Sequence, residues 1–122
     1  MSNGCPFCST DGALAENEHA YARFDKFPVN LGHVLVIPRR HISSFFDASW
    51  PEKRAMLLLV DRMKSILDVK HSPDGYNIGI NIGEAAGQTI MHVHVHLIPR
   101  YRGDNANPRG GVRGVIPEKQ SY

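Results

Sequence analysis

The stretch Met91–Ile98, with the sequence MHVHVHLI, has an apolar residue at every second position and a histidine at three of the positions between them. Successive side chains of a β-strand point to opposite faces, so the stretch predicts a strand with one apolar face. The other face would carry a row of imidazoles, roughly 6.5–7 Å apart. Histidine is not a favoured strand residue, so a chance surface pattern explains the row poorly. We therefore expect the row to carry chemistry.

The row alone leaves two kinds of chemistry open. Imidazoles at alternate strand positions can share one metal ion, and they can also act on phosphorus. The loop directly before the strand, residues 83–89 (GEAAGQT), favours the second. Its small residues would let backbone N–H groups approach an anion closely, and Gln88 and Thr89 add side-chain donors.

The flanking segments predict an antiparallel sheet. Residues 76–82 alternate between apolar and polar positions, with Asn81 on the polar side, and residues 33–37 form an apolar, β-branched run that Pro38 ends. Residues 20–25 predict a first strand. One face of this sheet should be apolar and covered, and the polar face is left for function.

Helical patterns complete an α+β fold. A long helix should begin at a capping box formed by Ser49 and Glu52 and run to about Val69, since apolar residues recur there at helical spacing. Residues 43–47 predict a short helix. The segment from Gly103 onward is rich in Gly, Pro and Arg and is expected to be an irregular basic tail.

Composition limits the partners. The chain of 122 residues suits one domain, residues 1–122, and 14 basic against 12 acidic residues give a net charge of +2. That charge is too small for the dense basic face that nucleic acid binding needs. The N-terminus lacks the apolar core of a signal peptide, and no apolar run approaches membrane-spanning length. We expect a cytoplasmic protein that binds neither nucleic acid nor membrane, in which Cys5 and Cys8 indicate metal binding or redox chemistry.

The motif His92-Val93-His94-Val95-His96-Leu97-Ile98 resembles the signature of the histidine triad family, in which histidines alternate with apolar residues. Residues 32–38 (GHVLVIP) and the loop through Gln88 and Thr89 are similar to the same family, and the likeness spans residues 5–104. The resemblance implies a five-stranded antiparallel sheet with one long and one short helix, paired as a homodimer. It also implies hydrolysis or transfer at the α-phosphate of a nucleotide conjugate, with a purine nucleotide as substrate.

The resemblance also assigns roles by position. It makes His94, the middle histidine, the nucleophile, and it makes His96 and His33 contacts to the phosphate. Four further residues are implied in substrate binding: Asn81 and Gln88 as donors to phosphate oxygens, Thr89 near the leaving group, and Asp25 at the ribose hydroxyls.

Zinc-containing relatives, including the galactose phosphate uridylyltransferases, bind the metal with a Cys-X-X-Cys pair, the first triad histidine and another histidine. Similarity to them implies a Zn²⁺ site in this chain on Cys5, Cys8, His41 and His92. Four protein ligands leave no open position for substrate, so such a zinc would be structural. The alternative is a pair of reduced thiols without metal.

Substrate and reaction class keep several alternatives. The segment His96–Asp104 resembles the fragile histidine triad branch, which implies dinucleoside polyphosphate hydrolysis, with Mg²⁺ accompanying the substrate. Asn81 and Asp25 are closer to the nucleoside phosphoramidase branch, so P–N and P–O–P linkages both stay open. Two other classes are a nucleotide-binding regulatory module with incidental hydrolysis, and a metal-dependent hydrolase with all three triad histidines as ligands. In the tail, Arg109 and Arg113 are expected either to reach a polyphosphate across a dimer or to belong to a disordered segment.

Overall fold

The computed structural model describes residues 4–122 of the chain. Five strands form one antiparallel sheet in the order β1-β2-β3-β5-β4. Their bounds are β1 Ala15–Glu16, β2 Ala20–Phe24, β3 Val34–Pro38, β4 Gly75–Gly79 and β5 Val95–Arg100. One α-helix among the described residues, α1 (Trp50–His71), packs on one face of the sheet. This architecture confirms the predicted α+β fold.

The long helix begins as the sequence predicts. The N–H of Glu52 donates to Ser49 Oγ at 3.2 Å, and the N–H of Ser49 donates to Glu52 Oε1 at 2.8 Å, which closes the capping box. The helix ends at His71, slightly beyond the predicted end. Its apolar side forms the main core with the sheet through Ala55, Met56, Leu59, Val60, Met63 and Leu67.

The histidine strand is shorter than predicted. β5 begins at Val95 rather than Met91, so His96 is the one triad histidine that lies in a strand. The preceding residues leave the ladder with β3: the N–H of Val93 donates to the carbonyl of Ile42 at 2.8 Å, and the ring Nε2–H of His92 donates to the carbonyl of Pro38, at the end of β3, at 2.7 Å. The alternation of faces persists all the same, since Val93, Val95 and Leu97, which alternate with the histidines, are buried in the main core.

Other short elements also differ from the sequence-based prediction. β1 precedes the strand predicted as the first, and its two residues are too few to form a pattern. β4 ends at Gly79, earlier than expected. The predicted short helix is a single 3₁₀ turn, Phe45–Asp47. The tail contains two 3₁₀ turns, Gly111–Val115 and Pro117–Lys119, instead of irregular chain.

The sheet face opposite α1 is partly apolar, although the sequence predicted it to be polar. Phe7 packs there against Tyr21, Leu35 and Ile37, and the hydroxyl of Tyr21 donates to the carbonyl of Phe7 at 2.6 Å. The N-terminal segment therefore covers the part of this face that β2 and β3 form. Within residues 4–122, no helix combines the length and the apolar character needed to cross a membrane.

Candidate active site

His94 is buried, and its hydrogen bond sets the tautomer of its ring. Nδ1 lies 2.8 Å from the backbone carbonyl of His92. A carbonyl can only accept, so Nδ1 carries the proton and Nε2 keeps its lone pair. The ring of Phe7 contacts the imidazole edge-on, with centroids 5.0 Å apart, which restricts its rotation. His94 thus has the unprotonated ring nitrogen that a nucleophile requires.

His33 and His96 form a hydrogen-bonded pair next to His94. The ring centroids of His94 and His96 are 5.1 Å apart, and His33 Nε2 lies 3.0 Å from His96 Nδ1. The backbone N–H of Val29 donates to His33 Nδ1 at 3.0 Å, so neutral His33 carries its proton on Nε2 and donates it to His96 Nδ1. His96 then has its own proton on Nε2, where it can serve as a donor.

Burial decides the charge of this pair. The pKa of His96 is lowered to about 4, mainly because burial disfavours the imidazolium form, with repulsion from His94 and His33 adding to the effect. Burial also lowers the pKa of His33, although the carboxylate of Asp25, 3.5 Å from the ring, opposes the change. Near pH 7 both rings are therefore neutral hydrogen-bond donors.

A pocket of about 780 Å³ opens beside the pair. Asp25, His33, Asn81 and His96 line it, so the structure brings four of the predicted site residues around one space. Thr89 is exposed and does not line this pocket. The pocket lies on the β4–β5 part of the face opposite α1, the part that the N-terminal segment leaves uncovered.

Gln88 is buried and engaged with the backbone of its surroundings. Its Oε1 accepts from the N–H of Gly83 at 2.8 Å, and its Nε2 donates to the carbonyls of Ser43 and Ile90 at 2.8 and 3.1 Å. Both N–H bonds of the amide are used, so the expected donation from Gln88 to a phosphate oxygen is not available in this conformation. Gln88 instead closes the loop that precedes the histidines.

Four predicted ligands form a compact group, the Cys/His cluster of Cys5, Cys8, His41 and His92, which could hold a metal ion. His92 Nδ1 lies 3.1 Å from His41 Nδ1 and 3.5 and 3.7 Å from the sulfurs of Cys5 and Cys8, and Cys8 Sγ lies 3.3 Å from His41 Nδ1. Because its Nε2–H donates to a carbonyl, His92 presents Nδ1 to the cluster as a lone pair.

The donor set and its spacing fit zinc. Bonds of about 2.0–2.3 Å in a tetrahedral Zn²⁺ site place nitrogen and sulfur ligands about 3.3–3.8 Å apart. The four separations given above run from 3.1 to 3.7 Å, and all four ligand atoms lie within 4.8 Å of one another. Two sulfurs and two imidazoles are also ligands that zinc prefers and Mg²⁺ does not, and the Mg²⁺ expected to accompany the substrate stays a prediction.

The three triad histidines do not converge on one point. His92 belongs to the Cys/His cluster, His96 lies near Asp25 and His33, and His94 joins neither group among residues 4–122. The alternative of a hydrolase with all three histidines on one metal is therefore not supported. A metal on Asp25, His33 and His96 is also disfavoured, because the hydrogen bond to His33 Nδ1 keeps a proton on the nitrogen that would bind it.

The tail arginines pack within the tail. Arg109 and Arg113 each lie with Cζ 4.9 Å from the ring centroid of Tyr122, and neither lines the pocket. Whether they reach a polyphosphate bound to the partner in a dimer stays a prediction, because these contacts describe a single chain.

Sequence reasoning missed several groups that orient the site. The carbonyls of His92 and Pro38 and the N–H of Val29 determine the tautomers of three imidazoles, and backbone groups leave no signature in a sequence. Phe7 was also missed. Its position between Cys5 and Cys8 was the available signal, because a cluster that includes both cysteines and His92 brings Phe7 close to the histidines.

Comparisons with known proteins agree with this fold. A sequence model of the HIT domain family matches residues 9–103, which include all five strands and the helix. An uncharacterized HIT-like protein of Mycoplasma genitalium is 38% identical over 106 residues, which cover 82% of this chain and 75% of the relative. The AP-4-A phosphorylase of Mycobacterium tuberculosis is 32% identical over 107 residues, which cover 86% of this chain and 55% of that protein.

Solved structures extend the likeness. A crystal structure of a HIT family protein from Bacillus anthracis superposes with a TM-score of 0.78 at 31% identity, over 98% of this chain and 91% of that one. A Zn-bound histidine triad family protein from Mycobacterium smegmatis superposes with a TM-score of 0.75 at 32% identity, over 85% of this chain and 80% of that one.

Proposed function

This chain belongs to the histidine triad (HIT) family, and from that membership we propose that it hydrolyses dinucleoside polyphosphates at an α-phosphate, with His94 as a covalent nucleophile. One observation carries the proposal. The hydrogen bond from His94 Nδ1 to the carbonyl of His92 leaves Nε2 as a lone pair, beside two neutral histidines that line an open pocket.

The first step is a displacement at phosphorus. The lone pair of His94 Nε2 forms a bond to the α-phosphorus, and the bond from phosphorus to the bridging oxygen breaks with its electron pair staying on the departing nucleoside phosphate. Neutral imidazole attacks without prior removal of a proton, because the proton of His94 resides on Nδ1. The product on the enzyme is a nucleotidyl group on His94.

Donors around the phosphate hold the negative charge of the transition state. His96 presents Nε2–H, since its Nδ1 accepts from His33, and the amide of Asn81 lines the same pocket. Asp25 lies at the edge of this group and is suited to accept hydrogen bonds from ribose hydroxyls. Gln88 acts indirectly by holding the loop before the histidines.

The second step returns the enzyme to its starting state. Water attacks the phosphorus of the nucleotidyl group, and the bond to Nε2 breaks with its electron pair returning to His94. One proton of the water leaves to solvent, and a nucleoside monophosphate is released. One difficult displacement is thereby divided into two easier ones.

We also propose that the Cys/His cluster holds a structural Zn²⁺. When bound, the ion would crosslink the N-terminal segment to the chain at His41 and His92 without an open position for chemistry. The Zn-bound relative from Mycobacterium smegmatis supports the identity of the metal. His92 connects this cluster to the nucleophile, because its ring belongs to the cluster and its backbone carbonyl accepts the hydrogen bond from His94.

The relative named AP-4-A phosphorylase supports a polyphosphate substrate. A nucleoside phosphoramidase is the second candidate, favoured by Asn81 and Asp25 at the pocket. A panel of adenosine phosphoramidate, diadenosine triphosphate and diadenosine tetraphosphate distinguishes the two. Higher kcat/KM for either dinucleotide supports the first, and higher kcat/KM for the phosphoramidate supports the second.

The nucleophile is tested with His94→Ala. Turnover should fall by several powers of ten while nucleotide binding survives. His19→Ala is a matched control, because the side chain of His19 is 40% exposed beside Glu18 and belongs neither to the histidine pair nor to the Cys/His cluster, and it should keep wild-type rates. Rapid quench of the wild type with substrate labelled at the α-phosphate should trap label on His94. Label on another residue, or near-normal turnover in a folded His94→Ala protein, would contradict the proposal.

A further inference from the structure

The tail forms part of the wall of the pocket beside the histidines. Its 3₁₀ turn Gly111–Val115 lies against β4, and four of its residues line the pocket together with His33 and His96. The family match ends at residue 103, so this wall belongs to a part of the chain outside the matched domain.

The pocket has apolar walls on two sides, and they are exposed. From the sheet and the loop before β3 come Phe27, Val29 and Ile78, whose exposures are 86%, 67% and 52%. From the tail come Val112 and Val115, at 62% and 76%. Large apolar side chains that surround one cleft and stay exposed to water indicate a binding surface, because covering them with a ligand would remove apolar area from water.

Internal contacts hold the tail in its place. Two glycines allow the chain end to pack closely: a Cβ on Gly110 would overlap the carbonyl oxygen of Gln120, and one on Gly114 would lie 2.7 Å from Gln120 Oε1. Tyr122 stacks against two arginines of the same segment. The wall is therefore preorganised by its own segment.

We propose that Val112 and Val115 supply, from the same chain, an apolar wall that holds an aromatic nucleobase of the substrate against the sheet side of the pocket. The inference rests on the proposed function. The phosphate end, at His33 and His96, and the apolar walls belong to one continuous space of about 780 Å³. That volume exceeds the need of a phosphate alone, and the flat faces of an aromatic base fit between two apolar walls.

The test compares two ligands that share a phosphate and a ribose. Isothermal titration calorimetry measures Kd for AMP and for ribose 5-phosphate, which lacks the base. The wild type should bind AMP more tightly. In the double variant Val112→Ser/Val115→Ser, Kd for AMP should rise about tenfold, because apolar contact area is lost, while Kd for ribose 5-phosphate stays unchanged.

Ile116→Ser is the matched control. Ile116 is 55% exposed in the same segment and does not line the pocket, so both dissociation constants should stay at wild-type values. If the double variant fails a thermal melt, Val115→Ala replaces it, with a smaller rise expected for AMP alone.

Other results would overturn the inference in distinguishable ways. Equal affinity of the wild type for AMP and ribose 5-phosphate, or unchanged AMP affinity in the variants, would refute the role of the two valines in base binding. Neither result would affect the proposed phosphate chemistry. A wild type that binds neither ligand would overturn the proposed function as well. A weakened dimer with unchanged AMP affinity would show that a second copy of the chain covers the two valines.

Discussion

Replacing Glu52 by glutamine is expected to destabilise the fold by about 2 kcal/mol at pH 7. The carboxylate of Glu52 accepts from Arg40 through Nε at 3.1 Å and Nη2 at 2.8 Å, and its side chain is 7% exposed. The hydrogen bond from Arg40 is the main reason why the pKa of Glu52 is lowered from 4.5 to about 2. That difference in pKa corresponds to about 3 kcal/mol of stabilisation by the ionised carboxylate. We reduce the figure to about 2 kcal/mol because the side chain of Arg40 is 56% exposed and solvent screens its charge.

The pH dependence follows from the direction of the shift. A carboxyl group whose pKa is lower in the folded protein contributes stability above its unfolded value, near 4.5, and loses it as the pH falls toward about 2. Glutamine keeps an acceptor for the N–H of Ser49 but has no charge, so the variant lacks this contribution at every pH. The gap between the two proteins should shrink by roughly half between pH 7 and pH 3.

Urea unfolding followed by far-UV circular dichroism measures the gap at each pH. Glu18→Gln is the control, since the side chain of Glu18 is 87% exposed, and it should change stability little. A gap below about 0.5 kcal/mol at pH 7, or one that does not shrink in acid, would refute the reasoning. The pair also bears on the proposed zinc site, because Arg40 precedes His41: in protein loaded with Zn²⁺, Glu52→Gln should speed release of the ion to a chelator.

The other predictions concern assembly, metal, charge and substrate. We expect a homodimer, because β4 leaves a sheet edge open, and sedimentation at micromolar concentration should give twice the mass of the chain; a monomer would contradict this. Cys8→Ala should remove one zinc per chain in metal analysis and lower the Tm more than the turnover of the folded fraction; a wild type purified without chelator that contains no zinc would contradict the site. Since the pKa of His96 is lowered to about 4, folding stability should decline as the pH falls from about 6.5 toward 4, and His96→Gln should flatten that decline in urea titrations. Asp25→Asn should raise KM for a nucleotide substrate with free ribose hydroxyls more than for its dideoxy analogue, whereas equal changes would remove Asp25 from ribose binding.

The sequence alone determined the features that depend on local pattern. The motif around His92, His94 and His96 carried the resemblance to the family, and its alternation placed the histidines on one face, because side-chain direction in extended chain has a period of two. The capping box of Ser49 and Glu52 located the start of the helix, since its hydrogen bonds join residues three positions apart.

Only the tertiary structure decided how the site is oriented. Cys5 and His92 are 87 positions apart, and no local sequence pattern predicts that a ring nitrogen of His92 faces the sulfur of Cys5. The same holds for the backbone carbonyl of His92, which orients the ring of His94. The strand was predicted too long for a related reason: a ring donates to the carbonyl of Pro38 where a ladder partner was expected. The tail could not be placed from sequence either, because its wall residues, Gly111–Val115, acquire a role only through contact with a distant strand. Such contacts form when segments remote in the chain bury surface together, and no local pattern encodes their geometry.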